Sequence, residues 1–217
     1  MDKKVYKSKK ELIEHLISPK SKVLDVGFWG QAVKRESPEW PHRILLNHAR
    51  EVYGVDLSFD IGEFSHPECY VKASAEDFSF SEKFSVIFAG DIIEHLSNPG
   101  LFLSSCAKHL SPDGILIVTT PNCFNLFNIF AKLYREEPPI NSDHTMYFNK
   151  TTLAKLLEKN NWKVVSFSYL DSLSKKGMEG IKRKFSYLVN GFIKLFTAKF
   201  SETLTVVAKR IEEKSSL

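Results

Sequence analysis

Short β-branched runs alternate along this chain with stretches of helical periodicity, and no other feature restricts the fold as much. The runs are Lys22-Val23-Leu24-Asp25-Val26-Gly27, Val52-Tyr53-Gly54-Val55-Asp56, Cys69-Tyr70-Val71-Lys72, Phe84-Ser85-Val86-Ile87-Phe88-Ala89, Ile115-Leu116-Ile117-Val118-Thr119-Thr120, Lys163-Val164-Val165-Ser166-Phe167 and Thr203-Leu204-Thr205-Val206-Val207-Ala208. Between them, Leu12, Ile13, Leu16 and Ile17 share one helical face, Asn98-Pro99-Gly100 opens a helix through His109, and Leu153, Leu156 and Leu157 mark another over residues 151–160. Residues 31–50 read as mostly helical, interrupted at Ser37-Pro38 and Trp40-Pro41. Such alternation predicts an α/β fold with a seven-stranded, mostly parallel sheet in one domain, its core at about residues 20–170.

The chain has 217 residues, 43% of them hydrophobic, enough to fill one core. No apolar run approaches ~18 residues, so no membrane-spanning helix is expected. The charged start Met1-Asp2-Lys3-Lys4 does not read as a secretory leader. Cys69, Cys106 and Cys123 are odd in number and lack metal-ligand spacing; they read as reduced thiols of a cytoplasmic protein. The net charge is +4, but ten Lys or Arg against four Glu lie from residue 172 onward. The body is therefore nearly neutral, which argues against a nucleic-acid partner, while the basic tail suits an anionic surface.

The first strand delivers Asp25-Val26-Gly27-Phe28-Trp29-Gly30-Gln31, and the second closes on Asp56. Ligands of open α/β sheets sit beyond the carboxyl ends of strands, where glycine permits close backbone approach. A carboxylate there accepts two hydrogen bonds from vicinal ribose hydroxyls. A tight turn with an aspartate capping it is the plainer alternative.

In these two segments the chain resembles class I S-adenosylmethionine-dependent methyltransferases. The resemblance continues through Ala73-Ser74-Ala75-Glu76-Asp77, Gly90-Asp91-Ile92-Ile93-Glu94-His95-Leu96 and Leu110-Ser111-Pro112-Asp113-Gly114 into the fifth run, in order and spacing. The Asp-x-x-Glu-His-Leu segment and Asp143-His144-Thr145-Met146-Tyr147-Phe148 are most like the group containing ubiquinone-biosynthesis methyltransferases. The resemblance implies a three-layer Rossmann-like fold and S-adenosylmethionine as cofactor, with S-adenosylhomocysteine as product. It also implies that Asp25 and Gly27, with Phe28 and Gly30 of the same loop, line the methionine end. Asp56 would take the ribose, Leu57, Ser74, Ala75 and Glu76 would border the adenine, and Asp91 would follow the strand that closes the pocket floor. Trp29 and Gln31 stand where the family usually has glycines, and Ser74 where it often has aspartate.

Asp91, Glu94 and His95 would share one face of a helical turn. In the ubiquinone-type relatives a similar set is associated with a divalent ion. Here the readings are loop-orienting hydrogen bonds, a general base at His95, or a metal site, and no resident metal is assigned. His144 is a second candidate to line the acceptor site and accept its proton. Asn122 fits either the acceptor site or a simple turn. Trp40-Pro41-His42, with the altered loop, resembles methyltransferases of surface-polysaccharide synthesis, which implies a glycan acceptor as well as a small molecule.

Residues 179–199 carry an apolar stripe of Ile181, Phe185, Leu188, Val189, Phe192, Ile193 and Phe196, predicting a basic amphipathic helix before a final strand at 203–210. It packs on the core, or makes a peripheral membrane contact. The oligomeric state is left open. The competing readings are a non-catalytic methyltransferase-like binding module, favoured by Trp29 and Gln31, and an NAD-dependent oxidoreductase. The second needs Gly-x-Gly-x-x-Gly after the first strand, which Gly27-Phe28-Trp29-Gly30 does not supply.

Overall fold

The computed structural model describes residues 5–29, 35–133, 135–138, 141–171 and 198–211. Its centre is one sheet of eight strands: β1 (Val5–Tyr6), β2 (Lys22–Val26), β3 (Glu51–Asp56), β4 (Tyr70–Lys72), β5 (Phe84–Gly90), β6 (Leu110–Pro121), β7 (Trp162–Leu170) and β8 (Thr203–Arg210). They lie in the order β1-β7-β8-β6-β5-β2-β3-β4. All pairings are parallel except those of β8, which runs antiparallel between β6 and β7.

The strands read as continuous apolar runs because both sheet faces are covered. Leu24, Val26, Ile87 and Val118 face α3 (Pro99–His109) and α5 (Lys150–Lys159), through Phe102, Leu103, Leu153 and Leu157. Val23, Val86, Phe88 and Ile117 face α1 (Lys9–Leu16) and α2 (Pro41–His48), through Leu12, Ile13, Ile44 and Leu45. Three layers result. Local chemistry sets the helix starts: the Ser8 hydroxyl accepts from Glu11 N, Asn98 from Gly100 N and Leu101 N, and Asn149 and Thr152 form a reciprocal capping box.

The predicted three-layer, mostly parallel architecture is present, with differences of detail. The sheet has eight strands rather than seven, because Val5–Tyr6 adds a two-residue edge against β7. Ser111-Pro112-Asp113-Gly114, despite its turn-like composition, lies inside β6, where the register with β5 shifts between Phe84 and Val86. The helical stretch expected over 31–50 is confined, among the described residues, to α2, because Pro41 fits only a first helical turn. A further short helix, α4 (Leu126–Lys132), follows β6. The amphipathic helix predicted for residues 179–199 lies outside the described residues, apart from a 3-10 turn at Ala198–Phe200. No described helix is long and apolar enough to cross a membrane.

From β2 the chain adds β3 and β4 on one side, then returns to place β5 and β6 on the other. The crevice at that reversal, beyond the carboxyl ends of β2 and β5, is where open α/β sheets bind ligands.

Candidate active site

At the end of β2, Gly27 has a φ of +74°, and its N–H donates to Val55 O at 2.9 Å. A Cβ there would come 2.9 Å from the Ile92 side chain, so the turn after β2 and the turn after β5 are in direct contact. Two residues earlier, Asp25 is fully buried. Its Oδ2 lies 2.9 Å from His42 Nδ1, while His42 Nε2 lies 3.0 Å from the Tyr70 hydroxyl.

Asp56, closing β3, accepts Trp29 N at 2.8 Å and Ser58 N at 3.1 Å. The carboxylate thereby fixes the loop after β2 as well as its own turn. Leu57 is two-thirds exposed beside it. Around Ser74-Ala75-Glu76, the Ser74 hydroxyl accepts from Glu76 N, Ala75 is buried, and the Glu76 carboxylate accepts from Asn98 N at 2.7 Å.

Asp91 sits at φ 54° directly after β5. Lys9 Nζ, from the first turn of α1, lies 2.7 Å from Asp91 Oδ2, and the Thr119 hydroxyl donates to Oδ1 at 2.8 Å. Burial pushes the Asp91 carboxyl up, but Lys9 and Thr119 outweigh it and the net shift is downward. This residue stays ionised.

Glu94 is the opposite case. It is 1% exposed, its Oε2 accepts from the Thr120 hydroxyl at 3.0 Å, and its Oε1 has no hydrogen-bond partner among the described residues. Burial, reinforced by the Asp91 charge, pushes its pKa up to about 8. Its carbonyl accepts from Thr145 N at 2.9 Å, which draws the 141–148 loop across the site. His144 arrives with that loop, its ring centroid 4.6 Å from that of His95. Burial, then the nearby His95, pushes His144 below its usual range, so its ring is neutral and able to accept a proton at pH 7. Glu94, Cys123, Asn125, Asn128 and His144 border a cavity of about 180 Å³.

Glu94, His95 and His144 each offer one ligand atom within 4.8 Å of the others. One carboxylate and two imidazoles suit a first-row divalent cation. Asp91 is not in this group. Asp91, Glu94 and His95 do not lie on one helical face, because Asp91 is left-handed and Ile93–His95 is a 3-10 turn, but Asp91 stays near enough for its charge to act on Glu94 and His144. The loop supplies His144 instead.

Residues 6–167 match the methyltransferase-domain family. The chain belongs to it. Among related sequences, a ubiquinone biosynthesis O-methyltransferase of Glaesserella parasuis is 30% identical over 115 residues, 46% of this chain and 45% of the relative. The namesake from Bartonella bacilliformis is 33% identical over 89 residues, 39% of this chain and 36% of the relative. The chain thus spans less than half the length of these relatives. Among solved structures, a SAM-dependent methyltransferase from Archaeoglobus fulgidus superposes with a TM-score of 0.60 at 17% identity, over 93% of this chain and 94% of that one. A 1,6-didemethyltoxoflavin-N1-methyltransferase from Burkholderia thailandensis, solved with S-adenosylhomocysteine, gives 0.57 at 15% identity, over 95% and 80%. The class I methyltransferase fold expected from the sequence is the fold found.

In this chain the predicted donor residues Asp25, Gly27, Asp56 and Asp91 gather at the carboxyl ends of β2, β3 and β5. The Phe28 ring points away from the loop into a buried aromatic cluster with Phe59, Phe64 and Tyr70, leaving only its backbone for a ligand. Gly30 lies outside the described residues. Asn122 resolves as a tie: its Nδ2 donates to Lys199 O and Ser201 O, and its Oδ1 accepts from Phe124 N. Lys9 and His42 join the site although neither stands among the candidate residues of the sequence. No local signal marks Lys9, which meets Asp91 across 82 positions. A histidine directly after Trp40-Pro41, on an apolar helix face, was the available clue for His42.

Proposed function

We propose that this methyltransferase transfers a methyl group from S-adenosylmethionine to a hydroxyl oxygen of a small molecule or glycan. The support is an adjacency: Gly27, Asp56 and Asp91 stand at the strand ends where the family binds its donor. The cavity bordered by Glu94 and His144 opens at the neighbouring end of β6. The names of the curated relatives favour oxygen as the accepting atom.

S-adenosylmethionine, when bound, supplies a methyl group already activated by its sulfonium. The chain's own residues bind and align. Asp56 takes the ribose hydroxyls while holding Trp29 N, since a carboxylate accepts several hydrogen bonds. Leu57 and the Ser74–Glu76 backbone border the adenine, and the Gly27 turn lets backbone approach the methionine end. On the acceptor side, His144, or His95 beside it, takes the hydroxyl proton as the oxygen–carbon bond forms and the carbon–sulfur bond breaks. Glu94, mostly protonated at neutral pH, donates a hydrogen bond rather than competing as a base. Should a divalent cation occupy Glu94, His95 and His144, it would polarise the same hydroxyl.

A lipid-linked acceptor fits this reading. Phe127, Ile129, Phe130 and Leu133 on and just after α4 are exposed beside the cavity, and the sequence from residue 172 onward is basic. Sedimentation with anionic liposomes at low salt, lost in Phe127→Ser/Phe130→Ser, checks the contact.

The decisive experiment is thermal unfolding with S-adenosylmethionine, S-adenosylhomocysteine and NAD in parallel. Ligand at 100 times its dissociation constant stabilises by about 2.7 kcal/mol. At roughly 2–4 °C per kcal/mol for a chain this size, the shift is plain. Shifts with both adenosyl ligands, lost in Asp56→Ala, are expected. No shift with either would leave a binding module with the fold alone, and a shift with NAD alone would favour an oxidoreductase.

A further inference from the structure

Beneath the Gly27 turn lies a buried polar chain. Asp25 and His42 are both fully buried, and Tyr70 nearly so. The contacts run from Asp25 Oδ2 to His42 Nδ1 at 2.9 Å and from His42 Nε2 to the Tyr70 hydroxyl at 3.0 Å. The His42 ring is clamped between Phe28, centroids 4.6 Å apart, and Trp40, at 5.1 Å. Trp40 in turn donates its indole N–H to Phe28 O at 3.0 Å, tying the clamp to the loop. The other carboxylate oxygen, Asp25 Oδ1, is buried with no hydrogen-bond partner among the described residues.

Three elements converge to build this chain: β2 brings Asp25, α2 brings His42 and β4 brings Tyr70. A polar chain in an apolar cluster costs stability unless each member is satisfied. Here His42 has a partner for both ring nitrogens, and the donor at Nδ1 faces the carboxylate. Burial drives the Asp25 carboxyl up, towards its neutral form. The hydrogen bond and charge of His42 are the main counterweights, with Lys9 helping and Asp56 opposing; they limit the rise, and the net shift stays upward. A buried carboxylate stripped of its hydrogen-bonding partner takes up a proton.

We propose that His42, backed by Tyr70, is a positioning residue that holds Asp25 as a carboxylate under the Gly27 loop, so that the loop selects a ligand carrying a cation at its methionine end. The inference rests on the methyltransferase reading above and adds to it the group that sets the charge of the donor site. His42 touches no reacting atom. It acts through Asp25, and Tyr70 acts through His42.

The test compares two ligands by calorimetry with the full chain. S-adenosylhomocysteine carries an ammonium and a carboxylate at its amino-acid end, whereas 5′-methylthioadenosine lacks both; only the ammonium is attracted by a carboxylate at Asp25. In His42→Leu, the affinity for S-adenosylhomocysteine is expected to fall by about tenfold, and that for 5′-methylthioadenosine by less than about twofold. His42→Asn keeps a donor where Nδ1 stands and is expected to hold both affinities near wild type. Tyr70→Phe keeps the ring and is expected to show a smaller, equally selective loss, which carries the test should His42→Leu not fold. Parallel loss of both ligands in His42→Leu, or a His42→Asn variant as impaired as His42→Leu, would overturn the proposal by showing mere loop collapse. A wild-type chain that binds neither ligand would instead bring down the methyltransferase reading itself, and the relay with it.

Discussion

The Lys9 ammonium lies 2.7 Å from the Asp91 carboxylate, joining the first turn of α1 to the turn after β5 across 82 positions of sequence. Both side chains are partly exposed. Pairs of this kind contribute about 0.2–1 kcal/mol. A double-mutant cycle of Lys9→Met and Asp91→Asn, read by urea unfolding, should give a coupling energy in that range that shrinks in high salt.

Glu94 makes stability depend on pH in a definite direction. Its folded pKa of about 8 lies above the ordinary 4.5, so between those values the folded state binds more protons than the unfolded chain. Stability at this site is therefore full at low pH, declines as pH rises through the window, and levels off above about 8. Glu94→Gln removes that slope, and thermal unfolding at about pH 9 should show the variant more stable than wild type. A variant less stable there would mean that the ionised carboxylate has a partner inside the site.

Replacing Gly27 by alanine meets two penalties. The backbone φ of +74° costs an L-residue roughly 1–2 kcal/mol, and the new Cβ would press on Ile92 at 2.9 Å. A drop of several degrees in the midpoint is expected, only partly restored by adding Ile92→Ala. Full restoration would place the whole cost in the contact.

Gly54 poses a different problem, with ordinary backbone but no room. A Cβ there would stand 2.7 Å from the Phe28 ring and 2.8 Å from Tyr70. Gly54→Ala should destabilise by about 1–3 kcal/mol in denaturant unfolding. Adding Phe28→Leu should recover part of that loss, a non-additivity that reports the contact directly.

Much of the candidate donor side was legible because it depends on local pattern. A β-branched run ending in glycine announces a strand and its loop, and a strand ending in aspartate puts a carboxylate at the sheet edge; Gly27 and Asp56 needed no tertiary knowledge. The acceptor side depends on how the chain folds back. His144 reaches Glu94 because Thr145 N finds the Glu94 carbonyl, and the Asp91–Lys9 and Asp25–His42 pairs join elements whose spacing carries no period. α4 was missed for another reason. It has seven residues and turns Phe127 and Phe130 outward, so its pattern is not that of a helix with an inward stripe. β1 is two residues long, too short to show any alternation.

The placement of β8 governs the order in which the molecule can be finished. β7 meets the rest of the sheet through β8, and β1 meets it through β7. While residues 203–210 are still inside a ribosome, β2 to β6 can already pair, but β7 and the edge strand can pair only with each other. A nascent chain would carry the β2 to β6 half assembled and the flank beside β6 open, with the apolar edge of β6 a target for chaperones until Arg210 emerges.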